Sequence, residues 1–296
     1  MRFSKKALTA FFLIFIFISL DATANTYLQG IYIHEETMRN AKRLQYLIDK
    51  SKEVGINTFV IDLKYGSKAY QNNIKLVLAS GIKYVARIVI FPDGATPAQV
   101  ANEKVWQSKY RLVQKAINLG ASEIQLDYIR YDTSQRASIK NARNISQIIR
   151  WFKNKLATQN IPLQVDVFGV TSFGDSLHIG QSLPMFAEYV DAICPMVYPS
   201  HYEPYLKYAR MPYFAVRSSL KALREQFPGA LPFKVYPFIE LYNYRYPLSQ
   251  ANKLKYISEE LAAVEDSQVD GWYAWNIHNN YNNLFIVLKS KMRGKA

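Results

Sequence analysis

Short apolar runs rich in β-branched and aromatic residues alternate along the chain with longer amphipathic stretches. Eight such runs can be counted: Gly30–Glu35, Asn57–Lys64, Tyr84–Phe91, Glu123–Tyr131, Pro162–Gly169, Ala192–Ser200, Phe233–Glu240 and Gly271–Ile277. Their length and branching predict strands. The stretches between and after them predict helices over about 38–54, 71–80, 97–119, 136–158, 182–190, 204–227, 249–266 and 280–292. Several open on Thr, Ser or Asn, and Gly55, Gly81 and Gly120 stand where a helix must end before the next strand. Strict alternation implies right-handed βαβ units on a parallel sheet. Eight units in 296 residues fit a closed barrel better than an open doubly wound sheet, so the expected class is α/β, a (β/α)8 TIM barrel. The weakest helix is the fifth, and Gly169 to Leu183 before it reads as a long loop over the barrel mouth.

Residues 1–24 depart from this pattern. Arg2, Lys5 and Lys6 precede the apolar run Ala10–Leu20, which ends on the small-x-small sequence Ala22-Thr23-Ala24. This is the layout of a secretory signal peptide, and the run is short for a bilayer span of about 20 residues. The expectation is a signal peptide over 1–24 and one barrel domain over 25–296, exported to the periplasm or secreted, with no stable membrane insertion after cleavage. Retention of the segment as an N-terminal anchor is the alternative. Cys194 is the only cysteine, so no internal disulfide can form, and its apolar neighbours predict a small buried side chain rather than a nucleophile.

The formal net charge is +14; residues 1–24 hold three basic residues and Asp21, which leaves +12 for the remainder. Such a field favours anionic partners, acidic polysaccharides among them. Lys42, Arg43, Lys52, Lys104, Lys207 and Arg210 are dispersed along helices rather than gathered, which argues against a nucleic-acid surface. No glycine-rich phosphate fingerprint follows the first strand, which counts against a dinucleotide-binding sheet, and no cofactor is expected. Oligomeric state is left open.

Barrels of this kind build their sites at the C-terminal strand ends. Those ends carry His34-Glu35, Asp62 and Lys64, Arg87, Asp127 and Arg130, Asp166, Tyr198 through Tyr202, Glu240, and Trp275 with His278. Strand alternation sends Gln125 and Asp127, Gln164 and Asp166, and Asp62 and Lys64 into the barrel, with Ile124 and Leu126 toward the helices. Carboxylates set among large apolar residues are costly to bury unless paired or used. Glycoside hydrolysis needs two of them, one protonated and one ionised, and Asp127, Asp166 and Glu240 offer a pair with a spare. Asp127 is the expected nucleophile or base, with Asp166 or Glu240 as acid. Lys64, Arg87 and Arg130 are expected to orient the carboxylates, and His201, Tyr202 and Trp275, with Asp62, Tyr198 and His278 nearby, to line the substrate cleft. A purely structural ion-pair network of Asp62, Lys64, Asp127 and Arg130 is the competing reading.

Three segments in order, Glu123-Ile-Gln-Leu-Asp127-Tyr-Ile-Arg130-Tyr, Asp166-Val-Phe-Gly169 and Cys194-Pro-Met-Val-Tyr-Pro-Ser-His201-Tyr202, resemble a bacterial glycoside hydrolase-like family once filed as a domain of unknown function. Val60-Ile-Asp62-Leu-Lys64, Ala86-Arg87-Ile-Val-Ile-Phe91 and Ile179-Gly180-Gln181 add to the resemblance, which spans about residues 30–280. It implies a TIM barrel, Asp127 at the catalytic position, and Asp166 with the His201-Tyr202 pair in the cleft. The chain departs from the family pattern in having Tyr65-Gly66-Ser67 after the strand-two lysine and Asp132 where a proline is expected.

The resulting expectation is a glycosidase acting on a polysaccharide, an anionic or amino-sugar-containing one among the candidates. Two alternatives remain: a non-catalytic binder of anionic polysaccharide, and a metal-dependent hydrolase or deacetylase using His34, His201, His278 and the aspartates. No His-x-His on strand one and no helical His pair support the latter, and no metal site is expected.

Overall fold

In a computed structural model, residues 27–294 are described; the expected signal segment lies outside them. The strands are β1 (Leu28–Ile33), β2 (Thr58–Asp62), β3 (Lys83–Val89), β4 (Glu123–Asp127), β5 (Leu163–Phe168), β6 (Ala192–Met196), β7 (Lys234–Val235), β8 (Phe238–Glu240) and β9 (Gly271–Trp275). All pairings between them are parallel. Neighbouring strands pair in chain order from β1 to β6, and β9 returns to β1, so the sheet closes. The seventh barrel position is shared by β7 and β8, because Pro237 has no amide proton to continue the ladder. The architecture is the expected (β/α)8 barrel.

The helices are α1 (Ala41–Glu53), α2 (Lys68–Ala79), α3 (Pro97–Val100), α4 (Glu103–Asn118), α5 (Ile139–Ala157), α6 (Leu183–Phe186), α7 (Tyr205–Ala209), α8 (Pro212–Glu225), α9 (Gln250–Asp266) and α10 (Asn282–Arg293). Asn40, Ser67, Asn102, Ser138 and Ser249 cap five of them by accepting a backbone N–H of the first turn. Gly55, Gly81 and Gly120 follow helix ends at φ +80°, +81° and +95°, a left-handed conformation that a Cβ resists. Where one amphipathic stretch was expected over 204–227, two helices form. Pro212 starts the second one, since it can open a helix but cannot sit inside one. The stretch 97–119 is divided in the same way by the Asn102 cap.

Two apolar layers hold the barrel. The larger lies between strands and helices and includes Ile124, Leu126, Val165 and Ile193. The smaller fills the barrel, with Tyr32, Val60, Val85, Cys194, Phe238 and Tyr273. Below the mouth this interior is polar: Gln125 donates to Oε1 of Gln164 at 3.1 Å, Tyr273 donates to the same oxygen at 3.1 Å, and Gln164 donates to Glu123, while Oε1 of Gln125 is buried without a partner. Among the described residues no helix is long and apolar enough to cross a membrane.

Candidate active site

Side chains of the same parity on β2, β3, β4 and β5 converge at the C-terminal mouth. Asp62, Asp127 and Asp166 surround a single guanidinium, that of Arg87. Nη1 binds Asp62, Nη2 binds Asp127, and Nε stands 3.6 Å from Oδ2 of Asp166. Tyr32 closes the far side, donating its hydroxyl to Asp62 and laying its ring 5.3 Å from the guanidinium carbon. Three carboxylates around one cation leave an excess of negative charge in a site where Asp127 and Asp166 are almost fully buried. One of them must resist ionisation. Burial, then the neighbouring charge of Asp127, push the Asp166 carboxyl well above its ordinary range, and Arg87 offsets this only in part. Its Oδ1 is buried without a partner.

Asp127 is held differently. Beyond Arg87, it accepts the backbone N–H of Tyr128 at 2.5 Å. Tyr128 reaches that position with φ +52°, a left-handed conformation that costs a non-glycine residue about 1 kcal/mol or more and concentrates at functional sites.

The cluster opens into a cavity of about 660 Å3 lined by Asp62, Arg87, Asp127, Asp166, His34 and an aromatic wall. That wall is Tyr198 stacked on Trp275 at 5.6 Å and 26°, with His201 edge-on to Tyr198 at 5.3 Å. Burial and the charge of Arg245 lower the pKa of His201, which favours its neutral form. Tyr202 lines the cavity with its ring, but its hydroxyl is bonded to Ser219 on α8 at 2.8 Å.

Other expected residues lie elsewhere. Lys64 does not point into the barrel: β2 ends at Asp62, and two residues later the side chain is exposed, 5.1 Å over the ring of Tyr65. Arg130 is paired with none of the three aspartates; it donates to the Tyr131 carbonyl at 2.8 Å and its guanidinium lies 5.3 and 5.1 Å from the rings of Tyr128 and Phe168. Arg87, not Lys64 or Arg130, is the hub of the ion-pair network. Glu240 is buried outside the cavity lining, accepting Oγ of Ser200 at 2.7 Å and its amide at 3.2 Å. Burial raises its carboxyl to about 8. His278 is exposed, edge-on to Tyr242 at 5.2 Å and away from the cavity. Among the described residues no group of three His, Cys, Asp or Glu side chains is arranged to hold a metal ion.

Phe168 was missed by sequence reasoning. It has the inward parity of a residue that was noticed, two after Asp166, so alternation alone could have found it.

Residues 95–281 match the model of a family described as a putative glycosyl hydrolase domain. The chain belongs to that family. The match takes in β4 through β9, and hence Asp127, Asp166, the Tyr198–Tyr202 segment and Trp275. Asp62 and Arg87 precede it. No curated protein sequence matches the chain. Among solved structures, the barrel of this glycosyl hydrolase-family member is similar to a class V chitinase from Pseudomonas fluorescens Pf-5, with TM-score 0.64 and 12% identity over 90% of this chain and 99% of that one. It is similar to the spore cortex-lytic enzyme SleL of Bacillus megaterium QM B1551, with TM-score 0.62 and 10% identity over 88% and 73%. A chitinase from Chromobacterium violaceum ATCC 12472 gives 0.61 and 13% over 89% and 99%. At these identities the likeness is one of fold.

Proposed function

We propose that this protein hydrolyses a glycosidic bond in a polysaccharide, with Asp166 as general acid and Asp127 as the nucleophile. The observation that carries this reading is the unequal pair itself. Two carboxyl groups at the same cavity sit in unequal environments, Asp127 bound by a cation and an amide, Asp166 buried with its pKa raised well above the ordinary range, the asymmetry by which acid and base roles are divided. Glu240 is the weaker candidate for the acid, since Ser200 occupies both its oxygens and it does not line the cavity.

Asp127 and Asp166 follow residues in register on adjacent strands, Leu126 opposite Val165. Neighbouring strands lie about 4.8 Å apart, near the ~5 Å carboxyl separation of retaining glycosidases. In this reading the Asp166 proton goes to the leaving glycosidic oxygen as Asp127 forms an ester with the anomeric carbon. The ionised Asp166 then takes a proton from water, whose oxygen displaces Asp127.

The stacked Tyr198–Trp275 pair offers the apolar face that a pyranose ring packs on. A second hollow, sharing Val170, His201 and Tyr202 with the central cavity, is walled by the exposed rings of Phe173 and Phe214 and provides further stacking for a polymer. Likeness to chitinases and a cortex-lytic enzyme is in keeping with such a substrate. We read residues 1–24 as directing the chain to the periplasm or exterior. The test is proton NMR of the first-formed product from a panel of neutral, amino and acidic polysaccharides. Product with retained anomeric configuration supports the mechanism; inverted product removes Asp127 as nucleophile.

A further inference from the structure

We propose that the arm of the cleft formed by Lys64 and Lys109 is a subsite for a sugar unit carrying a carboxylate, adjacent to the unit bound over Asp127 and Asp166; this rests on the polysaccharide reading of the central cavity. The arm has a volume of about 620 Å3 and shares His34, Asp62, Arg87 and Val89 with that cavity, so one chain can occupy both.

Its own carboxylates are largely spent. Glu35 is buried and accepts the backbone N–H groups of Lys64 at 2.6 Å, Tyr65 at 3.0 Å and Gly66 at 2.9 Å, with Arg39 at 3.7 Å. Asp62 is taken by Arg87 and Tyr32. Glu36, the third acid of the lining, is exposed.

The two lysines are in the opposite condition. Lys64 is exposed and Lys109 half-buried; two other half-buried lysines, Lys83 and Lys153, meet Glu123 and Asp191, and a third, Lys115, meets the carbonyls of Tyr65 and Gly66. Neither Lys64 nor Lys109 has a carboxylate within ion-pair reach among the described residues. Lys109, on α4, is half-buried, and both its burial and the charge of Lys64 lower its pKa. Two ammonium groups that repel one another in a partly desolvated arm gain from an anion set between them. Leu63, Pro92 and Leu112 give that arm an apolar floor, and the exposed ring of Tyr65 stands beside Lys64 as a stacking surface.

The test compares binding of uronate oligosaccharides, their carboxyl-reduced neutral counterparts and sulfated oligosaccharides, by calorimetry, to the full chain and to its Lys64→Met/Lys109→Met variant. Thermal melting checks that the variant is folded. The proposal predicts that a uronate oligosaccharide binds about ten-fold or more tightly than its neutral counterpart, that added salt erodes the difference, and that the double variant abolishes it. It is overturned if no uronate is preferred, if the preference survives in the variant, or if only sulfated chains are preferred. Cleavage of a neutral glycan without charge preference removes the subsite and leaves the glycosidase reading standing. Charge-dependent binding without cleavage does the reverse.

Discussion

Nε of Arg87 stands 3.6 Å from Oδ2 of Asp166, the longest of the three contacts that this guanidinium makes with acids. The other two nitrogens are taken by Asp62 and Asp127, so Asp166 receives the least compensation for its burial. An acid whose folded pKa is raised stays protonated below that pKa and loses its proton as pH rises through it. Activity on a polysaccharide should therefore fall on an alkaline limb belonging to Asp166. Asp166→Asn should lower kcat by about 10^2-fold or more and erase that limb. On a dinitrophenyl glycoside, whose leaving group needs no proton, the same variant should lose far less. Equal losses on both substrates would remove Asp166 from the acid role.

Arg87 is worth more to the fold than one ion pair. Its removal strands three carboxylates in a buried mouth, and loss of one partner from a buried charge cluster costs about 3–5 kcal/mol. Arg87→Met should unfold at markedly lower urea concentration. Arg87→Lys keeps the charge but not the planar fork, and should recover only part of the loss.

Glu240 provides a stability signature separate from catalysis. Its carboxyl, ordinarily near 4.5, is raised to about 8 by burial. A raised acid favours the folded state while protonated, so its contribution is full below about 4.5, declines as pH climbs, and is lost once pH passes about 8. Glu240 accepts from both Oγ and the amide of Ser200; Glu240→Gln keeps the side-chain shape and one acceptor oxygen but cannot ionise. It should match wild type in melting temperature at pH 5 and exceed it at pH 9. A parallel pH dependence in the two proteins would show that Glu240 titrates normally.

How far the sequence could be read depended on whether a feature was periodic or spatial. Alternation placed Gln125, Asp127, Gln164 and Asp166 inside the barrel, because a strand surrounded by apolar layers leaves two directions for a side chain and the flanking Ile124, Leu126 and Val165 take one of them. The same rule failed for Lys64, because β2 stops at Asp62 and alternation has no force beyond a strand end. Glu240 ends β8, as expected, and Arg130 lies three residues past the end of β4, yet each has a neighbour from elsewhere in the chain: Phe168 from β5 for Arg130, Ser200 for Glu240. No local pattern encodes such contacts, nor did it single out Arg87 among three basic candidates.

Gly30 illustrates a constraint that reads as nothing in sequence. A Cβ built there would fall 2.5 Å from the Tyr273 ring inside the closed barrel. Gly30→Ala should destabilise the protein by about 1–3 kcal/mol through overpacking, measured by chemical denaturation, with no change in the site chemistry. A neutral effect would mean that Tyr273 moves freely in an interior where its hydroxyl is bonded to Gln164.

The central claim, that the carboxylates around Arg87 break a glycosidic bond, is tested most directly by reducing-end release. Wild type and Asp127→Asn should be assayed on the same polysaccharide panel, with circular dichroism and melting used to confirm that both are folded. The account predicts release by wild type and a loss of about 10^3-fold or more in the folded variant. Release that persists in Asp127→Asn, or its absence from folded wild type across the whole panel, would contradict it.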